Sequence, residues 1–198
     1  ARRVFCAIRP PGHHAEVAAA MGFCLFNNIA LAAELAFASK SVSRVAIVDF
    51  DVHHCNGTVD IFKDRPEVLV CSSFQEHFYP HRYLYFTNPH ILNMPLEKNA
   101  TGYQFRTSTD KGGLPALVNH KPGLLLISVG LDAHTEDHLG ELRFVESDYA
   151  WIKTQLGQDS YPQGIDGERL VFPRADVKLL APVPRPGAFR DFSIYQTH

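Results

Sequence analysis

No two of the four cysteines, Cys6, Cys24, Cys55 and Cys71, form a CxxC pair or a tight cluster. No disulfide framework or thiolate zinc site is suggested by such spacing, and a reducing compartment is the simpler reading. Long apolar runs are also missing: none reaches the roughly 20 residues that cross a bilayer, and the N-terminus carries no signal-peptide pattern. An intracellular protein, cytoplasmic or nuclear, without a membrane partner is the expectation. Nor is there an excess of one charge. A formal net charge of -2 provides no field for nucleic acid or lipid headgroups, so direct nucleic-acid binding is not indicated. The sequence has no internal repeat or low-complexity block and does not specify an oligomeric state. What remains is 45% apolar and 20% charged residues, the balance of a chain that folds around a core.

Eleven histidines are more than packing or solubility requires, so their positions matter. Pro10-Pro11-Gly12 is a stiff helix-breaking loop that ends in His13-His14, and the alanine-rich residues 16–39 after it predict a helix. Val45-Ala46-Ile47-Val48 reads as a buried strand, and Val68-Leu69-Val70-Cys71-Ser72 and residues 124–129 repeat its design. Strands apolar on both faces imply a parallel sheet covered by helices. Residues 74–123, rich in Tyr, Phe, Pro, His and Asn, predict long loops, and residues 144–156 a second helix. After Gly157 the pattern breaks up among prolines and glycines. We therefore divide the chain into a domain over 1–156 and a separate tail over 157–198.

The polar groups fall at strand ends. In Asp49-Phe50-Asp51-Val52-His53-His54, alternation places Asp49, Asp51 and His53 on one side of an extended backbone. Carboxylates and a histidine turned into a core carry a burial penalty that a cation would relieve, although a solvated turn accounts for the spacing equally well. Gly130-Leu131-Asp132-Ala133-His134 follows the third apolar run, and in parallel sheets ligands gather at the carboxyl ends of strands. Asp51, His53 and Asp132 would supply one nitrogen and two oxygens and leave a position open for water or substrate, the outline of a catalytic metal site. His134 reads as an outlying or surface histidine. His13 and His14 would add two proton carriers, and the whole count suits a hydrolase.

Taken in order, Arg9-Pro10-Pro11-Gly12-His13-His14-Ala15, Gly22-Phe23-Cys24-Leu25-Phe26-Asn27-Asn28, residues 49–58 and Gly130-Leu131-Asp132-Ala133-His134 resemble the histone deacetylase and acetylpolyamine amidohydrolase family, nearest its class II and bacterial branches. The resemblance implies an arginase-like α/β fold, a three-layer arrangement of a parallel sheet with helices on both faces, present here as the incomplete central part of a longer domain. It implies Asp51, His53 and Asp132 as zinc ligands, and His13 and His14 as general base and acid. Asp49 would orient His13, and Asn56 would stand beside His14. It further implies a potassium ion held by Asp49, Asp51, the backbone of His53, Ser72 and Ser73, and an acyl channel at Gly22 walled by Phe23 and Tyr79. The implied reaction is hydrolysis of the acetyl amide of an acetyl-lysine or acetylated polyamine, with release of acetate.

Two departures bear on activity. Cys55 stands where the family carries glycine, and a backbone angle that only glycine tolerates would be strained there. The family's glycine-glycine-tyrosine motif, whose hydroxyl stabilises the oxyanion, does not occur in these residues, and Tyr161 and Tyr195 lack its context. Loss of one such donor typically slows a reaction by ~10²–10³-fold. The alternative reading is therefore a non-catalytic metal-binding or scaffold fragment of the same fold. A two-manganese arginase-type site would need more bridging carboxylates than the sequence offers. In the tail, Leu179-Leu180-Ala181-Pro182-Val183-Pro184-Arg185-Pro186-Gly187 is similar to a segment of fumarylacetoacetate hydrolase-type proteins.

Overall fold

A computed structural model of the chain describes Cys6 and residues 8–156; the tail, with Tyr161 and Tyr195, lies outside the described residues. Four parallel strands, β1 (Val45–Asp49), β2 (Val68–Gln75), β3 (Ile91–Leu96) and β4 (Leu124–Ser128), form one sheet in the order β3-β2-β1-β4. The helices are α1 (Asn28–Ala38), α2 (Asn56–Phe62), α3 (Gly102–Ser108), α4 (Leu114–His120) and α5 (Glu146–Leu156), and a π-helical turn at Thr109–Gly113 joins α3 to α4. Both faces of the sheet are covered, as the doubly apolar strands require. Val45 and Ile47 of β1 and Val68 and Val70 of β2 pack with Ala30 and Ala33 of α1 and Val59 and Phe62 of α2. The alternate residues Ala46, Leu69 and Cys71 pack against Leu117 of α4 on the other face. A third cluster, with Phe50, Val52, Phe105, Phe144 and Ile152, closes the end of the sheet where β1 exits.

Three local expectations are corrected. The helix expected over 16–39 begins only at Asn28, because Gly22 and Phe23 both have positive φ (55° and 60°) and Asn27 caps the helix by accepting a hydrogen bond from the Ala30 N–H at 3.0 Å. The loops expected over 74–123 contain β3, α3 and α4. β3 carries Pro95 because it is an edge strand, where a missing N–H leaves no ladder bond unmade, and α3 starts on a capping box between Thr101 and Gln104. β4, expected to be buried on both faces, is the other edge of the sheet among the described residues and only half-buried, with Ile127 41% exposed. No helix among the described residues is long and apolar enough to cross a membrane.

Candidate metal centre

β1 delivers Asp49 at its last residue, fully buried and in register with Ser72 of β2 and Ser128 of β4. The chain then bends, and Asp51 and His53 follow from a short loop that the N-terminus of α2 closes. Asp132 arrives from the loop after β4. Its Oδ1 accepts a hydrogen bond from the Val52 N–H at 3.0 Å, which ties the two distant acidic segments together. One ligand atom each from Asp51, His53 and Asp132 lies within 4.8 Å of the others, so the structure brings these three predicted residues to one point. His53 Nδ1 stands 2.8 Å from Asp51 Oδ1 and 3.1 Å from Asp132 Oδ2.

A half-buried imidazole between two carboxylates holds a proton tightly. Burial of His53 opposes the charge, but hydrogen bonds to Asp132 and Asp51 outweigh it and raise its pKa to about 9. That proton occupies the place of a cation, and one imidazole with two carboxylates is a donor set that a divalent transition metal accepts. Gly130 makes room for the cluster: a Cβ there would sit 2.1 Å from Asp51 Oδ2 and 2.7 Å from Asp132 Oδ1.

The histidine pair lies over this group. The N-terminus of α2 fixes it from below, since the Thr58 N–H donates to the His13 carbonyl at 3.2 Å and the bare Cα of Gly57 lets Ala15 pack close. His13 Nδ1 donates to Asp49 Oδ2 at 3.0 Å, while its Nε2 is 3.9 Å from Asp51 Oδ2. Burial works against protonation of His13 as well, yet the charges of Asp49 and Asp51 raise its pKa to about 9. His13 in turn holds the Asp49 carboxyl below its usual range against the opposing effect of burial. His14 behaves oppositely. Burial and the neighbouring His13 depress its pKa to about 4, and its Nδ1 meets Asn56 Oδ1 at 2.7 Å. The two rings are 4.0 Å apart, and His14 lies 5.7 Å from His53.

Of the expected channel residues, Tyr79 sets its ring edge-on to His14 at 5.1 Å and to His53 at 6.0 Å. Gly22 presses so closely on His14 that a Cβ would lie 2.2 Å from the imidazole Cδ2. Phe23 is 60% exposed. His134 stands apart from the ligand group, its Nε2 3.8 Å from Glu146. Around the expected potassium ligands Asp49, Asp51, His53, Ser72 and Ser73, Asp49 accepts from His13 and the Asp51 N–H and the Ser72 hydroxyl accepts from the Cys55 N–H; potassium itself is unsupported. The strain expected at Cys55 is absent, since its φ is -80° and its side chain is wholly buried in the core under α1 and α2.

Sequence reasoning missed three participants. Phe78 stacks on the His53 ring at 5.1 Å and 20°. His54, adjacent to the ligand, is buried with Nε2 on Asn93 Oδ1 at 2.9 Å and Nδ1 without a partner. Glu16 lies beside Asn56. Each contact joins segments far apart in the chain, so no local spacing announces it.

Residues 1–164 match the family model described as the histone deacetylase domain. The chain belongs to this family. Among curated relatives of this deacetylase-family chain, histone deacetylase 10, chloroplastic, from Oryza sativa subsp. japonica is 38% identical over 77% of the chain and 36% of the relative. Acetylpolyamine amidohydrolase 2 from Pseudomonas aeruginosa is 37% identical over 80% of the chain and 48% of the relative. The crystal structure of the HDA15 HD domain superposes with a TM-score of 0.72 at 35% identity, covering 76% of this chain and 46% of that one. The chain thus spans about half, or less, of each of these proteins. The parallel α/β architecture expected from the motifs is the one these structures share.

Proposed function

We propose that this chain carries the metal-holding part of a deacetylase site, in which Asp51, His53 and Asp132 bind zinc and the acetyl amide of an acetyl-lysine or acetylated polyamine is hydrolysed to acetate and a free amine. The carrying observation is the convergence of those three ligand atoms within 4.8 Å, beside two imidazoles each held through Nδ1. When bound, zinc supplies Lewis acidity that polarises an amide carbonyl and acidifies water. The chain's own residues do the rest. Asp49 and Asn56 fix the two rings through Nδ1, so that the Nε2 atoms of His13 and His14 are the pair that takes a proton from the attacking water and returns one to the leaving amine. Burial of both histidines, 5% and 4% exposed, keeps bulk water from competing for those protons. Gly22 and Tyr79 pack on His14, and with Phe23 they line the approach of a narrow acyl chain.

A second reading is a chain that binds metal at Asp51, His53 and Asp132 without turnover. Zinc content and acetate release from an acetyl-lysine peptide and from an acetylated polyamine, with and without a chelator, separate the two. Chelator-sensitive acetate release supports the deacetylase; stoichiometric zinc without acetate supports the binding fragment; absence of bound zinc refutes both.

A further inference from the structure

Resting on the assignment of His14 to proton transfer, we infer that Glu16 is a positioning residue that fixes the tautomer of His14 through Asn56. The Asn56 amide has one face toward His14 and one toward Glu16. Its Oδ1 meets His14 Nδ1 at 2.7 Å, and its Nδ2 donates to Glu16 Oε1 at 2.7 Å and to the His14 carbonyl at 3.3 Å. A carboxylate only accepts hydrogen bonds. With a carboxylate at 2.7 Å, the amide cannot rotate end for end without turning its oxygen onto a negative charge. The orientation of Asn56 is thereby set, and Oδ1 must be the atom facing His14. His14 Nδ1 then carries the hydrogen and donates it, and the unprotonated nitrogen is Nε2, the one free for chemistry.

Glu16 is built for this task. Its side chain is 5% exposed, and both oxygens are used: Oε1 accepts from Asn56, and Oε2 pairs with Arg82 Nη1 at 3.1 Å. Arg82, half exposed, belongs to the same loop as Tyr79, whose ring lies over His14. The line Arg82, Glu16, Asn56, His14 therefore connects the loop above the imidazole to the hydrogen on its far nitrogen. A glutamine at this position cannot replace the glutamate, because it has a single acceptor oxygen for two donors and must turn its amide nitrogen toward one of them.

The test is the pair of variants E16Q and N56D, alone and combined, in the zinc-loaded 198-residue chain. Glu16→Gln lowers kcat by about tenfold to a hundredfold, the range usual for outer partners of site histidines, and leaves KM and zinc content unchanged. In the Asn56→Asp background the same substitution raises kcat, because the introduced amide donates to the introduced carboxylate, which the parent glutamate repelled. A residue that merely supports the fold would lower activity in both backgrounds, and that outcome overturns the inference. Long-range ¹H–¹⁵N spectra of the histidines give a readout independent of turnover. They should show His14 hydrogenated at Nδ1 in the parent chain and a mixture of tautomers in E16Q. An unchanged tautomer in a folded E16Q protein also overturns the inference, whereas lack of acetate release by every protein with the tautomer shift intact would count against the deacetylase reading alone.

Discussion

Zinc and a proton compete for one nitrogen cluster, and the competition has a size. With the pKa of His53 near 9, only about 1% of the metal-free protein has a deprotonated ring at pH 7, so apparent zinc affinity lies about 100-fold below its limiting value. An imidazole at the ordinary value of about 6.5 would cost a factor of only ~1.3 at the same pH. The carboxylates of Asp51 and Asp132 are responsible for the difference, about 2.6 kcal/mol. Titration against a chromophoric chelator of known protonation behaviour, at half-unit steps from pH 7 to 8.5, should give a logarithm of affinity that rises by about one per pH unit. The slope steepens toward two if His13, also raised to about 9 by Asp49 and Asp51 against its burial, must surrender its proton. Calorimetry in buffers of different ionisation enthalpy counts the same protons directly. An affinity constant across this range would refute the reasoning, since His53 would then not be trapped between its carboxylates.

Gly130→Ala should abolish zinc binding while the protein still unfolds cooperatively, because the added Cβ collides with Asp51 and Asp132 rather than with the core; zinc content and a thermal scan check both halves. His54, fully buried and depressed to about 4 by desolvation, makes stability fall in acid. The unfolded chain binds its proton below about pH 6.5 and the native state does not, so about 3 kcal/mol disappears between pH 6.5 and 4. Urea unfolding of the parent and His54→Leu should show this limb in the first and its flattening in the second. Asn27→Ala removes the cap of α1 and the bonds to the Ala15 carbonyl and Thr58 hydroxyl, which should cost about 2 kcal/mol in urea denaturation.

Much of the site was legible because its residues sit where strands end. Asp49 and Asp51 directly follow the apolar run of β1, and Asp132 follows β4, so the sheet itself carries them together. The helix start at Asn28 was hidden because alanine-rich composition signals propensity, whereas the left-handed pair Gly22 and Phe23 and the close approach of Gly22 to His14 decide the boundary. β3 was obscured by Asn93 and Pro95, which an edge strand tolerates and a central strand would not. Asn93 and Glu16 act through contacts 39 and 40 residues away in the chain, and Phe78 reaches the site by stacking on His53; only the folded arrangement reveals them. Cys55 is the reverse case. A substitution that looked strained turned out to occupy ordinary backbone and to fill the core.

X-ray absorption at the zinc edge, on the protein loaded with one equivalent of zinc, interrogates the ligand set itself. The account predicts nitrogen and oxygen neighbours at about 2.0–2.2 Å, with the outer-shell signature of a single imidazole, and loss of the bound zinc in Asp132→Ala. Sulfur neighbours at about 2.3 Å, or an unchanged spectrum in that variant, would contradict it.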